Sequence, residues 1–314
     1  MSIPIRSVVA RRGALIACAL VGAVGCDLIA EAGRVLVLGN RGTVFGSGGN
    51  AQNAPLPAVR VQPGGGVVVQ DADVFGGGIV VQQAGQQSFG TAGAGISAVD
   101  GNGMVRVQQG LVAGGPVLVQ VQEDAFDEAA PGIQATDSAI EISGGTVRGG
   151  GIVSQVGPLT EGLPAPAVLA QGGTLRMTGG TLMAGGVAPE SAGDDPSVIA
   201  LESQLEVLGG SFGDEVLSAD GRARILAGTF ESLQLVSSTP EGCSELRGGQ
   251  VSELAVVGGR LIVAGTGLGL APTSDPTVSR LTGTLESGQA VNAEVVVDEG
   301  GVVQLVAPGS PGCP

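Results

Sequence analysis

One stretch constrains the fold more than any other: residues 132–153, GIQATDSAIEISGGTVRGGGIV. It contains a short apolar run, a small polar corner, a run alternating apolar with charged, a Gly-Gly corner and a third short run. This is the make-up of one turn of a solenoid, and the chain from Val35 onward reads as variations on it. Period-2 alternation in Ile140-Glu141-Ile142, Leu175-Arg176-Met177, Leu205-Glu206-Val207 and Met104-Val105-Arg106-Val107 points to strands with aliphatics inward and Glu or Arg outward.

The repeat can be put in register along the chain. The residue before the first corner runs Val37, Val69, Val107, Ile142, Met177, Val207, Ile225, Leu246, Val263 and Val297. Successive positions lie 30–38 residues apart up to Val207 and 17–21 apart from there to Val263. A second glycine corner falls eight residues later, at Gly77, Gly115, Gly150 and Gly185, and a third element precedes the first, as in Ile133-Gln134-Ala135. Three short strands per turn is the expectation, with about 8–10 turns. The longer turns carry insertions at one phase (residues 82–95, 120–131, 154–165 and 188–197), which would stack them on one side.

Composition agrees with such a fold. Aromatics make up only 2% of the 314 residues and glycines number 58, so a core must come from Val, Leu, Ile and Ala, with glycine at tight corners. The glycines do not recur every third residue, which excludes collagen. The net charge is −15, and all 14 basic residues are Arg. Outside the N-terminus there is no basic run, so the electrostatic footprint of a nucleic-acid binder is missing.

The N-terminus carries a targeting signal. Arg6, Arg11 and Arg12 precede an apolar run over residues 13–24, too short to span a bilayer comfortably and typical of a secretory signal peptide. The run ends in Ala23-Val24-Gly25-Cys26, which resembles the lipobox of bacterial lipoproteins; Ala23 stands where Leu is commonest. That resemblance implies cleavage before Cys26, lipidation of its thiol and membrane attachment through the lipid. Loss of three arginines and no acid would take the net charge from −15 to −18. The expected organisation is signal peptide 1–25, lipidated tether 26–32, parallel β-helix 33–305 and C-terminal tail 306–314. Export would permit a disulfide between Cys243 and Cys313, with two separate thiols as the alternative.

Two further phrases, ATDSAIEISGGTV at 135–147 and TLRMTGGTL at 174–182, resemble right-handed parallel β-helix repeats of the pectate-lyase-like and autotransporter-passenger-like kind. The resemblance spans roughly 33–305. It implies the fold, with its right hand, and leaves function open.

Chemistry is constrained mainly by what is missing. The chain has no His and no Lys, which removes His-based triads, His zinc sites and Walker loops. Glu123, Asp124, Asp127 and Glu128 cluster in one insertion, and Asp194 and Asp195 in another of the same phase. Asp124, Asp127, Glu128, Asp194 and Asp195 are weak Ca²⁺ candidates, set against ordinary solvated loop acids. Corner residues Asp100, Asp137, Glu202 and Asp220 recur in phase, as turn formers or as an acidic ladder.

The resulting expectation is an exported, membrane-anchored lipoprotein of the bacterial cell envelope, at the outer membrane or cell surface rather than the inner membrane. Its role would be structural or adhesive and non-catalytic, with no cofactor, and any glycan or protein ligand would sit on the inserted loops. The alternative is an acid-only polysaccharide lyase or hydrolase on the same scaffold. A passive surface filler without a specific ligand is a third option.

Overall fold

The computed structural model describes residues 28–49, 54–81, 91–119, 128–154, 164–188 and 196–314. Among these every regular element is a strand, and nearly all pair in parallel. The molecule is a parallel β-helix.

Three faces build each of the first eight coils, and two of them continue to the end. Face A runs through Leu28–Ala30, Val59–Val61, Ile96–Ala98, Ile133–Thr136, Val168–Gln171, Val198–Leu201 and Val216–Ala219, then segments 233–236, 253–257 and 294–298. Face B runs through Val35–Leu38, Gly66–Val69, Met104–Val107, Ala139–Ile142 and Thr174–Met177, then 204–207, 222–225, Cys243–Leu246, 260–264 and Val302–Val306. These ten rungs on each face make ten coils. Face C holds Gly42–Phe45, Ala72–Phe75, Gly110–Ala113, Thr146–Arg148 and Thr181–Met183, and ends with segments 211–212, 229–230 and 250–251.

In-register parallel pairing sets equivalent residues about 4.7–4.9 Å apart, so one inward aliphatic stacks on the next. Face B supplies the column Val69, Val107, Ile142, Met177, Val207, Ile225, Leu246 and Val263, all buried; face A supplies Ile96, Ile133, Val168, Val198 and Val216. Each such burial contributes about 1.5–3 kcal/mol against an exposed side chain. On face C the column widens to Phe212 and Phe230, whose rings stack 4.5 Å apart inside the core.

The register differs from the sequence reading at both ends. Leu38, not Val37, pairs with Val69; Leu38 is 7% exposed and Val37 50%. Val297 belongs to face A opposite Val256, and the face-B position above Val263 is Leu305. Both slips come from runs, VLVL and VVV, with aliphatics on both sides of the strand, so that alternation carries no phase. Leu28–Ala30, assigned to the tether, is already the first rung of face A, paired with Val59–Val61.

The long coils carry four strands, not three. After face C the chain leaves the solenoid and forms a side sheet of Ile79–Val81, Val117–Val119, Ile152–Ser154 and Val187–Ala188. A small second core lies beneath it, with Ile79, Val117, Val119 and Ile152 against Ala92, Ala129, Ala130 and Ala165 of the returning chain. Outgoing and returning legs alternate in one ladder at the neck. Gly93 donates to Gly77, Gly115 to Gly93, Ala130 to Gly115, Gly150 to Ala130, Ala165 to Gly150 and Gly185 to Ala165, all at 2.7–3.1 Å. The second, third and fourth coils thus each place two backbones in the column, and at Gly76, Gly114 and Gly149 of their outgoing legs nothing larger than glycine fits. A Cβ on Gly114 or Gly149 would lie 1.7 Å from the carbonyl oxygen of Ala130 or Ala165.

The short coils lack the side sheet, and their corners shrink to bends within continuous strands. Arg222–Val236 passes through faces B and C and into face A of the next coil as one 15-residue strand. At the C-terminal end, face C is replaced by an antiparallel extension in which Val278–Leu285 pairs with both Arg260–Pro272 and Ala290–Asp298.

Candidate functional site

The outer surface of face B carries an ordered ladder of charge. Its central outward positions are cross-strand neighbours in the order Arg106, Glu141, Arg176, Glu206, Arg224 and Glu245, alternating in sign at every rung. Arg106 meets Glu141 at 2.7 Å, and Glu206 accepts from Arg176 at 3.0 Å and from Arg224 at 3.3 Å. These side chains are a third to a half exposed, so each pair contributes at most about 1 kcal/mol. The pattern acts chiefly on register, because directly opposed like charges are unfavourable. Glu206→Arg would set three guanidiniums on consecutive rungs. It is expected to lower stability by about 1 kcal/mol more than Glu206→Gln, a difference that shrinks in 1 M salt. Parallel urea titrations at low and high salt read both quantities.

The ladder ends in a clasp. Glu245 is outward-facing, yet its side chain is only 4% exposed. It accepts from Arg222 at 2.9 Å, from Arg247 at 2.7 Å and from the backbone N–H of Cys313 at 2.8 Å. Arg247 also donates to Glu286 at 2.6 Å and to the Ser310 carbonyl at 3.0 Å, while Arg222 donates to the carbonyls of Cys313 and Pro314. Burial alone would raise the Glu245 carboxyl, but hydrogen bonds from Arg247, Arg222 and the Cys313 N–H, with the charge of Arg247, outweigh it and hold the group at about 2. Arg247 is shifted up, chiefly by its bond to Glu245 and against the effect of burial. Cys243 and Cys313 are joined by a disulfide with Cα atoms 5.7 Å apart, closing a separation of 70 residues. The tail from Ala307 is thereby fixed on face B.

The corner acids have backbone roles. Asp137, Glu202 and Asp220 adopt φ of 45°, 51° and 53°, and their N–H groups donate to Gln171, Ala219 and Val236 on the following coil. Gly172 interrupts the acidic series between Asp137 and Glu202. Asp220 accepts from the Ser238 N–H at 2.6 Å, which lowers its carboxyl below the usual range. Asp100 occupies a turn just after the Ile96–Ala98 rung.

Of the Ca²⁺ candidates, Asp124, Asp127, Asp194 and Asp195, together with Glu123, lie outside the described residues, as does Cys26. Glu128 is exposed at the start of a returning leg, where its carboxylate accepts from the Thr91 hydroxyl at 3.2 Å. Among the described residues no three metal-ligating side chains come together.

The sequence reading missed the sign alternation and the clasp. The first was visible in the charges once the rungs were paired. The second joins residues 2 to 92 positions apart and had no local signal beyond the two cysteines. No protein-family model, curated protein or solved structure matches the chain.

Proposed function

We propose that this chain is a lipid-anchored scaffold of the bacterial cell envelope, structural or adhesive, and non-catalytic. The observation that carries this reading is that the acids of the face-B ladder and the clasp are engaged in the fold itself. Glu141 and Glu206 pair with arginines across rungs, the Asp220 carboxylate accepts from the Ser238 N–H, and Glu294 pairs with Arg280 at 2.6 Å. An acid-only polysaccharide enzyme needs a carboxyl poised to donate a proton near neutral pH. Glu245, the most deeply buried of the described carboxylates, is shifted the opposite way, to about 2. The lipidated N-terminus would fix the protein to a membrane, at the outer membrane or cell surface.

The test is protease shaving of intact cells beside a Cys26→Ala variant. Wild type cleaved on intact cells, with the variant recovered in the soluble fraction, is the expected result. Wild type protected until the envelope is broken would rule out a surface role, and a variant still bound to membrane would rule out the lipid anchor.

A further inference from the structure

We infer that the N-terminal end of the solenoid is a membrane-contacting surface, seated on the lipid headgroups by an apolar collar on the first coil. The inference rests on the lipid-anchor reading and adds to it a second contact. Three observations point the same way.

The first is the collar. Ile29 on face A, Val35 and Val37 on face B and Phe45 on face C are 47%, 54%, 50% and 48% exposed, and all belong to coil 1. Phe45 is braced by Phe75 of the next coil, with ring centroids 5.2 Å apart. Farther along face B, the row that starts at Val37 passes through Val68 to Arg106 and Glu141. On face B the outward apolar positions thus stop after Val68; the last coil also exposes Val296, Val297 and Val302, so the collar is set apart by its aromatic Phe45 and by its place next to Cys26.

The second is distance. The first rung begins at Leu28, so Asp27 alone separates it in sequence from Cys26. At no more than about 3.6 Å per residue, a lipid on Cys26 would hold coil 1 within roughly 10 Å of the bilayer surface. That is the depth range in which apolar side chains enter the headgroup–acyl boundary, about 5–10 Å. Water at that level also satisfies the edge of the first face-B strand, where Val35 and Val37 direct their N–H and C=O groups away from the second coil.

The third is charge. Residues 27–81 carry three arginines and four acids, whereas residues 82–314 carry eight arginines and 25 acids. The acidic excess therefore starts at the third coil. With rungs about 4.8 Å apart and a Debye length of about 8 Å, most of it stands beyond screening distance from an anionic bilayer. The nearly neutral end is the one that can approach such a surface.

The chain contains no Trp and no Tyr, so a single introduced Trp is a clean reporter. Full-length Phe45→Trp and, as a control at the opposite end, Val302→Trp would be placed on vesicles of phosphatidylcholine and phosphatidylglycerol with brominated acyl chains. Both positions are exposed, so the core is left intact. Quenching at 45 should exceed that at 302 by about threefold or more, as interfacial burial of only one site requires. Ile29→Trp repeats the measurement on another face. Equal quenching at both ends, or none at 45 and 29, overturns the inference. The mass of the N-terminal peptide reads lipidation at Cys26 separately, and the contrast between the two ends decides the collar whichever way that falls.

Discussion

Glu245→Ala is expected to destabilise the protein by about 3–5 kcal/mol, because it leaves Arg247 and Arg222 buried or half-buried without their shared carboxylate. The tail would lose its Cys313 N–H acceptor at the same time. Glu245→Gln keeps an acceptor and should cost less. The pH dependence separates the two contributions. A carboxyl at about 2 in the folded protein and near 4.5 when unfolded stabilises the fold fully above pH 4.5. That contribution fades as the pH falls from 4.5 through 2, since the unfolded chain then binds the proton first. Urea titrations at pH 7 and pH 3 should therefore show wild type losing stability that Glu245→Gln does not lose. An equal decline in both would remove Glu245 from the account of acid sensitivity. The disulfide is an independent part of the clasp. Closing 70 residues restricts the unfolded chain by about 4 kcal/mol in the chain-entropy picture, so the titrations must be run oxidised throughout.

Gly149→Val is expected to abolish the side sheet while leaving the upper coils folded. The Cβ alone would sit 1.7 Å from the Ala165 carbonyl oxygen and 2.5 Å from its carbon, and 2.8 Å from the nitrogen of Gly185. All three are backbone atoms, so no side chain can rotate away, and the cost should reach or pass the upper end of the usual overpacking range, about 3 kcal/mol. Hydrogen exchange gives the spatial readout. Amides of Val117–Val119 and Ile152–Ser154 should lose protection, while those of Cys243–Leu246, several coils away, keep it. Uniform loss across both regions would mean that the ladder at the neck and the main solenoid unfold as one unit.

The fold was legible wherever the two sides of a strand differ in chemistry. Leu205-Glu206-Val207 cannot be turned over without burying a carboxylate, so its register could be read from three residues. Val35-Leu36-Val37-Leu38 has no such marker, and its phase is decided by which carbonyls find donors on the next coil, among them Leu38 to Gln70. The stacking of long coils was readable from glycines recurring at one spacing. Their reason was not, because the close approach to Ala130 and Ala165 depends on where the chain re-enters after insertions of unequal length. Among candidate site residues, the cysteines were recognisable as a candidate pair. What surrounds them was hidden: Glu245 looks like any outward Glu until residues 307–314 cover it.

The disulfide also decides how the molecule would answer to force. Tension applied between the two ends of the chain would enter at Cys243, not at the last rung, because the covalent bridge short-circuits the 70 positions up to Cys313. Coils nine and ten would hang outside the load path, slack while the rest is under strain. Rupture would have to begin by peeling the N-terminal coils or by tearing at the Cys243–Leu246 rung, which is held between Arg222–Val236 and Arg260–Pro272. Pulled between its two ends, the molecule would thus present its shortest, most continuous coils as the bearing element, and the contour length released on complete extension would fall short of the full chain by the span that the bridge encloses.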